Sequence, residues 1–457
     1  MADAMVQDAP IGTEEAPAGP VVLFPPGPPA GDAPVEAVPP SLKPLALAGG
    51  VIRLAAGGRC FRRVDNYCID YAGTVLEMHQ EDFLITQRAA RRLAIRDLPL
   101  GTPNGLIDGA LQAQKLVFEE ICKPGAVRVL YLPSLSPASV AYRCELPTMA
   151  LRQSDRVTAF VAAPGTPERA YFDFDVVVIQ LAHSKAMQAL ARALREEGRR
   201  VVYEIDDAFD AHEVWHPRYE TYRRPDVQAE VIEMIESVDR VTVTTEALKE
   251  RYSCYSDRIT VIPNYIDIAN RPKAPKRART GFRVLWAGSP SHTGDLAVLE
   301  GALNRFADLR KDSTFVFFGE APAGLRVPPD RVEVRPFCDF LEYQYVLADI
   351  DADVALAPLA PVPFNSCKSP VKLVEYGAAG YPVIASDFGP YRMLEHGKTG
   401  MLCATEDDWV AALDMLWGSP EKRAALAEGS LELARRYDID LNRPCLEAFF
   451  CGLGNGI

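Results

Sequence analysis

The strongest constraint in this chain is an alternation that runs, stops and runs again. From residue 127, short apolar runs rich in β-branched residues ("VRVLYLP", "RVTAFVA", "FDVVVIQ", "RVVYEIDD", "RVTVTT") are separated by longer stretches with apolar residues at helical spacing, such as "SKAMQALARALREEGR" and "PDVQAEVIEMIESV". Continuous apolar runs of that length suit strands buried on both faces, and the intervening helices supply the crossovers that a parallel sheet needs. Near residue 270 the polar, basic, proline-bearing "IANRPKAPKRART" interrupts the pattern. It then restarts with "FRVLWAG", "STFVFFGE", "DVALAPL" and "PVIAS". The fold class expected is α/β: two Rossmann-like domains facing across a cleft, with an additional N-terminal segment. The expected boundaries are 127–270 and 271–430, followed by a C-terminal helix and tail over 431–457.

The chain has 457 residues, too many for one core, and the part before residue 127 reads differently. Residues 1–45 are rich in Pro, Ala and Gly, and "LFPPGPPAGDAPVEAVPP" has too few backbone donors for helix or sheet. A disordered tail is expected there. Residues 46–126 form an N-terminal extension. "CFRRVDNYCIDYAG" reads as a hairpin or short strands, and "QEDFLITQRAARRLAIRDLPL" and "NGLIDGALQAQKLVFEEIC" read as helices. This extension carries no chemical motif. Its expected roles are an acceptor module or a homo-oligomer contact.

A formal charge of −13 argues against a nucleic-acid partner. Ten cysteines are scattered without a CxxC pair, so reduced thiols are expected rather than a disulfide scaffold or zinc site. No apolar run reaches the ~20 residues of a membrane span, and the first residues lack a signal-peptide pattern. The expected location is cytoplasmic, with peripheral contact at the inner membrane face left open.

Chemistry-bearing residues collect at the joints of the second domain. Strand "FRVLWAG" ends in "AGSPSHTGDL". Without a Cβ, Gly288 lets the backbone approach a ligand, and N–H groups at Ser289 and beyond can receive phosphate oxygens. His292 can donate to such a phosphate or cap the helix. Further on, a loop presents Asn365 and Lys368 just before a helix expected to open with Ser369 as cap and Pro370 at the first helical position. A cation gains nothing from a helix N-terminus, so an anion between Lys368 and the free N–H groups would reconcile the two. Lys372, Glu375 and Tyr376 follow on that helix, beside Gly377, Ala378, Ala379 and Gly380. A carboxylate in so small-sided a helix suits paired sugar hydroxyls. Gly380 reads as the C-cap.

In the first domain, "VVYEIDDAFD" places Asp206 and Asp207 just past the carboxyl end of a strand, where α/β sites collect. Either carboxylate can orient an acceptor hydroxyl, take its proton or hold a cation, with Asp207 preferred. His183 and Lys185 follow "VVVIQ" and line the same side. "HEVWH", from His212 to His216, has the spacing of a zinc-protease helix, but Pro217 and the loop-like context oppose a helix there. His212 and His216 are instead expected on a cleft-edge loop on the acceptor side, and no metal site is expected.

The segment "PFNSCKSPVKLVEYGAAGYPVIASDFGPY" resembles the donor-binding region of GT-B glycosyltransferases, the large retaining group 4 (group 1-like) family. "VIPNYID", "AGSPSH..D", "VTVTTEAL" and "SPASVAYRCELP" resemble other pieces of that family, over about residues 127–430. The resemblance implies that Glu375 binds the donor ribose and that Lys368 or Lys372 meets the diphosphate, with Gly288 and Ser289 as the phosphate loop. The family's first glutamate, which approaches the transferred sugar, is replaced here by Cys367. The implied activity is transfer of a sugar from a UDP- or GDP-linked donor to a glycan, lipid-linked or protein acceptor, with retention and with no obligatory cofactor. A non-catalytic glycan- or nucleotide-binding scaffold and a GT-B-fold sugar-nucleotide epimerase are the alternatives.

Overall fold

The computed structural model describes residues 52–53, 59–63, 66–71, 74–79 and 122–454, apart from 135, 163–167, 270–279, 337 and 339. The expected tail over 1–45 and the two helices expected between 80 and 121 lie outside the described residues. The chain divides into two compact units, Met1–Asp97 and Leu98–Ile457.

In the first unit, strands β1 (Ile52–Arg53), β2 (Arg59–Arg63), β3 (Asn66–Tyr71) and β4 (Thr74–His79) form an antiparallel sheet in sequential order. β2 pairs antiparallel with β3, Arg63 opposite Asn66, and β3 with β4, Tyr71 opposite Thr74. The hairpin read in "CFRRVDNYCIDYAG" is present.

The second unit holds two lobes, each a six-stranded parallel sheet between helices. The first lobe uses β5 (Val127–Leu132), β6 (Val157–Val161), β7 (Val176–Gln180), β8 (Arg200–Ile205), β9 (Arg240–Val243) and β10 (Ile259–Val261), in the order β6-β5-β7-β8-β9-β10. The second uses β11 (Phe282–Ala287), β12 (Ser313–Phe318), β13 (Val332–Arg335), β14 (Val354–Ala357), β15 (Val383–Ser386) and β16 (Met401–Cys403), in the order β13-β12-β11-β14-β15-β16. Every pairing in both sheets is parallel. Strand order reverses between β5 and β7 in one lobe and between β11 and β14 in the other. A crevice opens outside the strand ends at such a reversal, because the two neighbouring connections leave in opposite directions.

The strands read as near-continuous apolar runs because helices cover both faces. β7 is buried at all five positions and β14 at all four. Two apolar clusters flank the second sheet, one around Trp286, Phe306 and Trp409, the other around Phe318, Tyr376 and Tyr391.

The last helix, Ile439–Gly454, returns to the first lobe. Leu446, Phe450 and Leu453 pack with Val129, Tyr131 and Val176. Ile266, just before the joint, exchanges backbone hydrogen bonds with Tyr437 and Ile439 at 2.9 and 2.8 Å. The chain therefore passes between the lobes twice, side by side. No helix among the described residues is long and apolar enough to cross a membrane.

Candidate active site between the lobes

The two loops beside the reversal in the second sheet are those picked out by sequence: the turn after β11 and the loop after β14. The turn is held from below. The Tyr376 hydroxyl accepts from the Ala287 N–H at 2.8 Å, and the Ala287 carbonyl accepts from the Lys372 ammonium. Lys372 is buried, its nitrogen 5.3 Å from the Trp286 ring centroid. Burial, the largest influence, lowers its pKa to about 8. Lys372 thus braces the strand end and the Gly288 turn. Gly319, at φ +126°, approaches so closely that a Cβ there would lie 2.1 Å from the Gly288 carbonyl oxygen.

Lys368 lies in a second cluster that the sequence reading missed at its centre. Asp295 is buried, and its Oδ1 accepts from the Ala360 N–H at 2.9 Å and the Asn365 amide at 2.5 Å. Its Oδ2 lies 2.8 Å from His292 Nδ1 and 3.8 Å from Lys368 Nζ. One carboxylate therefore ties together the turn after β11, the loop after β14 and the lysine before the next helix. Burial opposes its ionisation, but the His292 bond, the neighbouring positive charge and the Ala360 amide hold its pKa below the usual carboxylate value. Burial, then Lys368 and Lys372, push His292 down to about 3. A neutral His292 whose Nδ1–H points at Asp295 exposes only the lone pair of Nε2, so it is poorly suited to donate to a phosphate. Asn365 spends its amide on Asp295 and on the Ala360 carbonyl at 2.9 Å. Ser289 Oγ lies 2.8 Å from Ser291 Oγ. The H-x-x-D spacing of His292 and Asp295 was the available signal.

The helix after Lys368 runs Val371–Ala379, so Pro370 is its N-cap rather than its first helical residue. Gly380 closes it at φ 88° as read. All its residues from Lys372 to Ala379 are buried. Gly377 allows the helix Pro420–Arg435 to come close, since a Cβ there would lie 2.2 Å from the Ser430 carbonyl oxygen. Glu375 points between the lobes. Its Oε1 accepts from the Tyr142 hydroxyl of the first lobe and its Oε2 from Tyr343 at 3.3 Å.

Tyr142 comes from "SVAYRCELP", where a π-helical turn Ala141–Glu145 sits between the helices Pro137–Val140 and Leu146–Leu151. The neighbouring Arg143 turns inward. Its guanidinium meets Glu204 of β8 at 2.7 and 3.0 Å, the Ile262 carbonyl at 2.7 Å and Asn264 at 3.0 Å. This buried pair joins the opening loop, the strand leading to Asp206-Asp207 and the "IPN" segment.

Asp207 stands half-buried beyond β8. Burial first, then the adjacent Asp206 charge, raise its pKa to about 7, against the opposing pull of Lys368 and Arg218. The Asp206 carbonyl accepts from Thr244 at 3.1 Å. His183 packs with Tyr222, its Nδ1 2.9 Å from the carbonyl of Leu181. Leu181 itself has φ 57°, a left-handed conformation uncommon for a branched residue, at the reversal point of the first sheet.

"HEVWH" is a loop, not a zinc-binding helix, and it reaches the second lobe. The Trp215 ring lies where a Cβ on Gly294 would be, 2.3 Å away. The His212 and His216 rings pack 4.8 and 5.1 Å from Phe364. Among the described residues no group of three His, Cys, Asp or Glu side chains is arranged to hold a metal. Cys367, buried, accepts a 2.9 Å hydrogen bond on its carbonyl from Thr245 of the first lobe.

Residues 281–418 match the family described as Glycosyl transferases group 1. The second lobe thus carries a segment that matches this group, and the two lobes together have the GT-B fold. The matched segment spans the whole second sheet, with both of its crevice loops and the Glu375 helix. Solved structures of the same fold cover 72% of this chain and the whole of their own. HepE of Anabaena in complex with UDP and glucose superposes with a TM-score of 0.51 at 16% identity. HepE in complex with UDP-glucose gives 0.50 at 17%, and sucrose-phosphate synthase of Thermosynechococcus elongatus 0.54 at 13%. No curated protein sequence matches the chain.

Proposed function

We propose that this protein is a glycosyltransferase that moves a sugar from a nucleotide diphosphate sugar to an acceptor hydroxyl, with retention, on the cytoplasmic side. What supports this reading is that the Gly288–Ser289 turn follows β11, that Lys368 and the Glu375 helix follow β14, and that β11 and β14 are neighbours at the reversal of the second sheet, while Asp207 lies just beyond β8 of the first lobe. Glu375 receives the ribose hydroxyls. Lys368 and the backbone N–H groups of the turn offset the charge that grows on the departing diphosphate. Lys372 acts from beneath, by holding the turn in place.

The bond from anomeric carbon to phosphate oxygen breaks with its electron pair going to the diphosphate, and the acceptor oxygen forms the new bond. Asp207 orients the acceptor hydroxyl and takes its proton. Retention requires the acceptor oxygen to attack from the face that the diphosphate leaves. Asp206 and His183 support the acceptor side. The HepE structures contain UDP, glucose and UDP-glucose, which makes UDP-sugars the first donors to try and GDP-sugars the next.

Thermal shift with UDP, GDP, ADP, CMP and their sugars tests the site. One nucleotide should stabilise the wild type and fail to stabilise Glu375→Ala and Lys368→Ala. No response to any nucleotide would end the reading. Cys367 in place of a carboxylate favours one other reading, a binding protein without turnover. Transfer or hydrolysis of a bound sugar nucleotide would exclude it.

A further inference from the structure

We infer that His212 and His216 form a clamp for one hydroxyl group of the sugar being transferred, supplying from the first lobe the polar contact that Cys367 does not supply from the second. The inference rests on the donor site proposed above. It differs from the sequence expectation, which put both histidines on the acceptor side.

Backbone contacts set the two rings in opposite sense. His212 Nδ1 lies 3.0 Å from the Phe209 carbonyl oxygen, which can only accept, so Nδ1 carries the proton and Nε2 presents a lone pair. That Nε2 is buried without a hydrogen-bond partner. His216 Nδ1 accepts from the Arg218 N–H at 3.1 Å, so its proton sits on Nε2. The ring centroids are 4.4 Å apart. One ring accepts and the other donates. A sugar hydroxyl does both, whereas a phosphate oxygen only accepts and an ammonium only donates.

The pair also lies on the donor side of the crevice. Both rings rest on Phe364, four residues before Lys368, and Lys368 lies 5.0 Å from the same ring. Burial lowers the pKa of both histidines, and His216 falls to about 3 with Lys368 and Arg218 among the charges that press on it. Both rings are thus neutral at physiological pH, as opposite tautomers require. A buried acceptor without a partner is unfavourable, so a ligand that fills it gains affinity.

The test measures binding of UDP against UDP-glucose, and of GDP against GDP-mannose, by calorimetry. The proteins compared are the wild type, His212→Phe and His216→Phe, which keep a ring on Phe364, and His212→Gln, which keeps an acceptor. Wild type should bind one sugar nucleotide more tightly than its bare nucleotide. The Phe variants should keep the bare-nucleotide affinity and lose about tenfold for the sugar form, with His212→Gln recovering part of it. Equal wild-type affinity for the bare and sugar-linked forms would overturn the clamp while leaving the nucleotide site standing. So would Phe variants that keep the preference, lose both ligands alike, or raise only the acceptor KM. Failure of every nucleotide to bind would remove the donor site and the clamp together.

Discussion

The Tyr142 hydroxyl donates to the Glu375 carboxyl across the cleft, between residues 233 positions apart in the chain. Both side chains are buried, and Val374 and Ala378 of the Glu375 helix pack with Tyr142 and Ile266 of the first lobe. The residue proposed to hold the donor ribose is therefore already engaged by the opposite lobe, and a nucleotide must displace that phenol.

Tyr142→Phe removes the competing donor. It should tighten nucleotide binding about three- to tenfold and lower the stability of the free protein by about 1 kcal/mol. Calorimetry with UDP and GDP decides it. Weaker binding in the variant would mean that the hydroxyl belongs to the bound state instead.

The raised pKa of Asp207 has consequences for activity and for stability. Activity should fall as pH drops below about 7, where the carboxyl takes up its proton, and Asp207→Asn should lose a factor of about 10²–10⁴. A carboxyl with a folded pKa near 7 and an unfolded value near 4 contributes stability that is whole below about pH 4 and is lost as pH rises through 7. Asp207→Asn, which never charges, should therefore melt higher than the wild type at pH 8 and no higher at pH 4. A melting difference independent of pH would contradict the assignment.

The Arg143–Glu204 pair is buried at 3% and 4% side-chain exposure, and Thr242 also donates to Glu204. Glu204→Leu leaves the guanidinium unpaired in the interior and should reduce stability by about 3–5 kcal/mol. Arg143→Met combined with Glu204→Leu should lose far less, because no charge is left behind. Thermal melts of the single and double variants separate the two, and equal losses would show that the pair is not coupled.

Gly288→Ala would place a Cβ 2.7 Å from the Trp286 ring and 3.0 Å from the Lys372 nitrogen. Neither neighbour can retreat without opening the turn, so a local loss of about 1–3 kcal/mol is expected. Nucleotide affinity should drop at least about tenfold with the far-ultraviolet circular dichroism unchanged. Unaltered affinity would show that the turn does not touch the ligand.

What the sequence determined by itself is local and periodic. Runs such as "VRVLYLP" and "FRVLWAG" specify strands buried on both faces, because each position must be apolar when helices cover both sides. The proline-rich basic joint near 270 separates the lobes, and Gly380 ends the Glu375 helix because only a residue without Cβ enters the left-handed cap at little strain. Lys368, Glu375 and the Gly288 turn were legible as a group because they lie in the turn after one strand and in the loop and helix after another, where α/β crevices open.

Strand order and lobe packing decided the rest. The central role of Asp295 depends on Ala360 and Asn365, brought alongside only because β14 lies next to β11. Lys372 reaches beneath the turn because its face of the helix meets the end of β11, whereas Lys368, before the helix begins, lies beside Asp295. The contacts of Tyr142 with Glu375, of Trp215 with Gly294, and of His212 and His216 with Phe364 exist only across the lobes. Periodicity records which side of a residue is buried, since that is set by its nearest neighbours in the chain. It does not record what that side is buried against, since that is settled when elements hundreds of residues apart pack together.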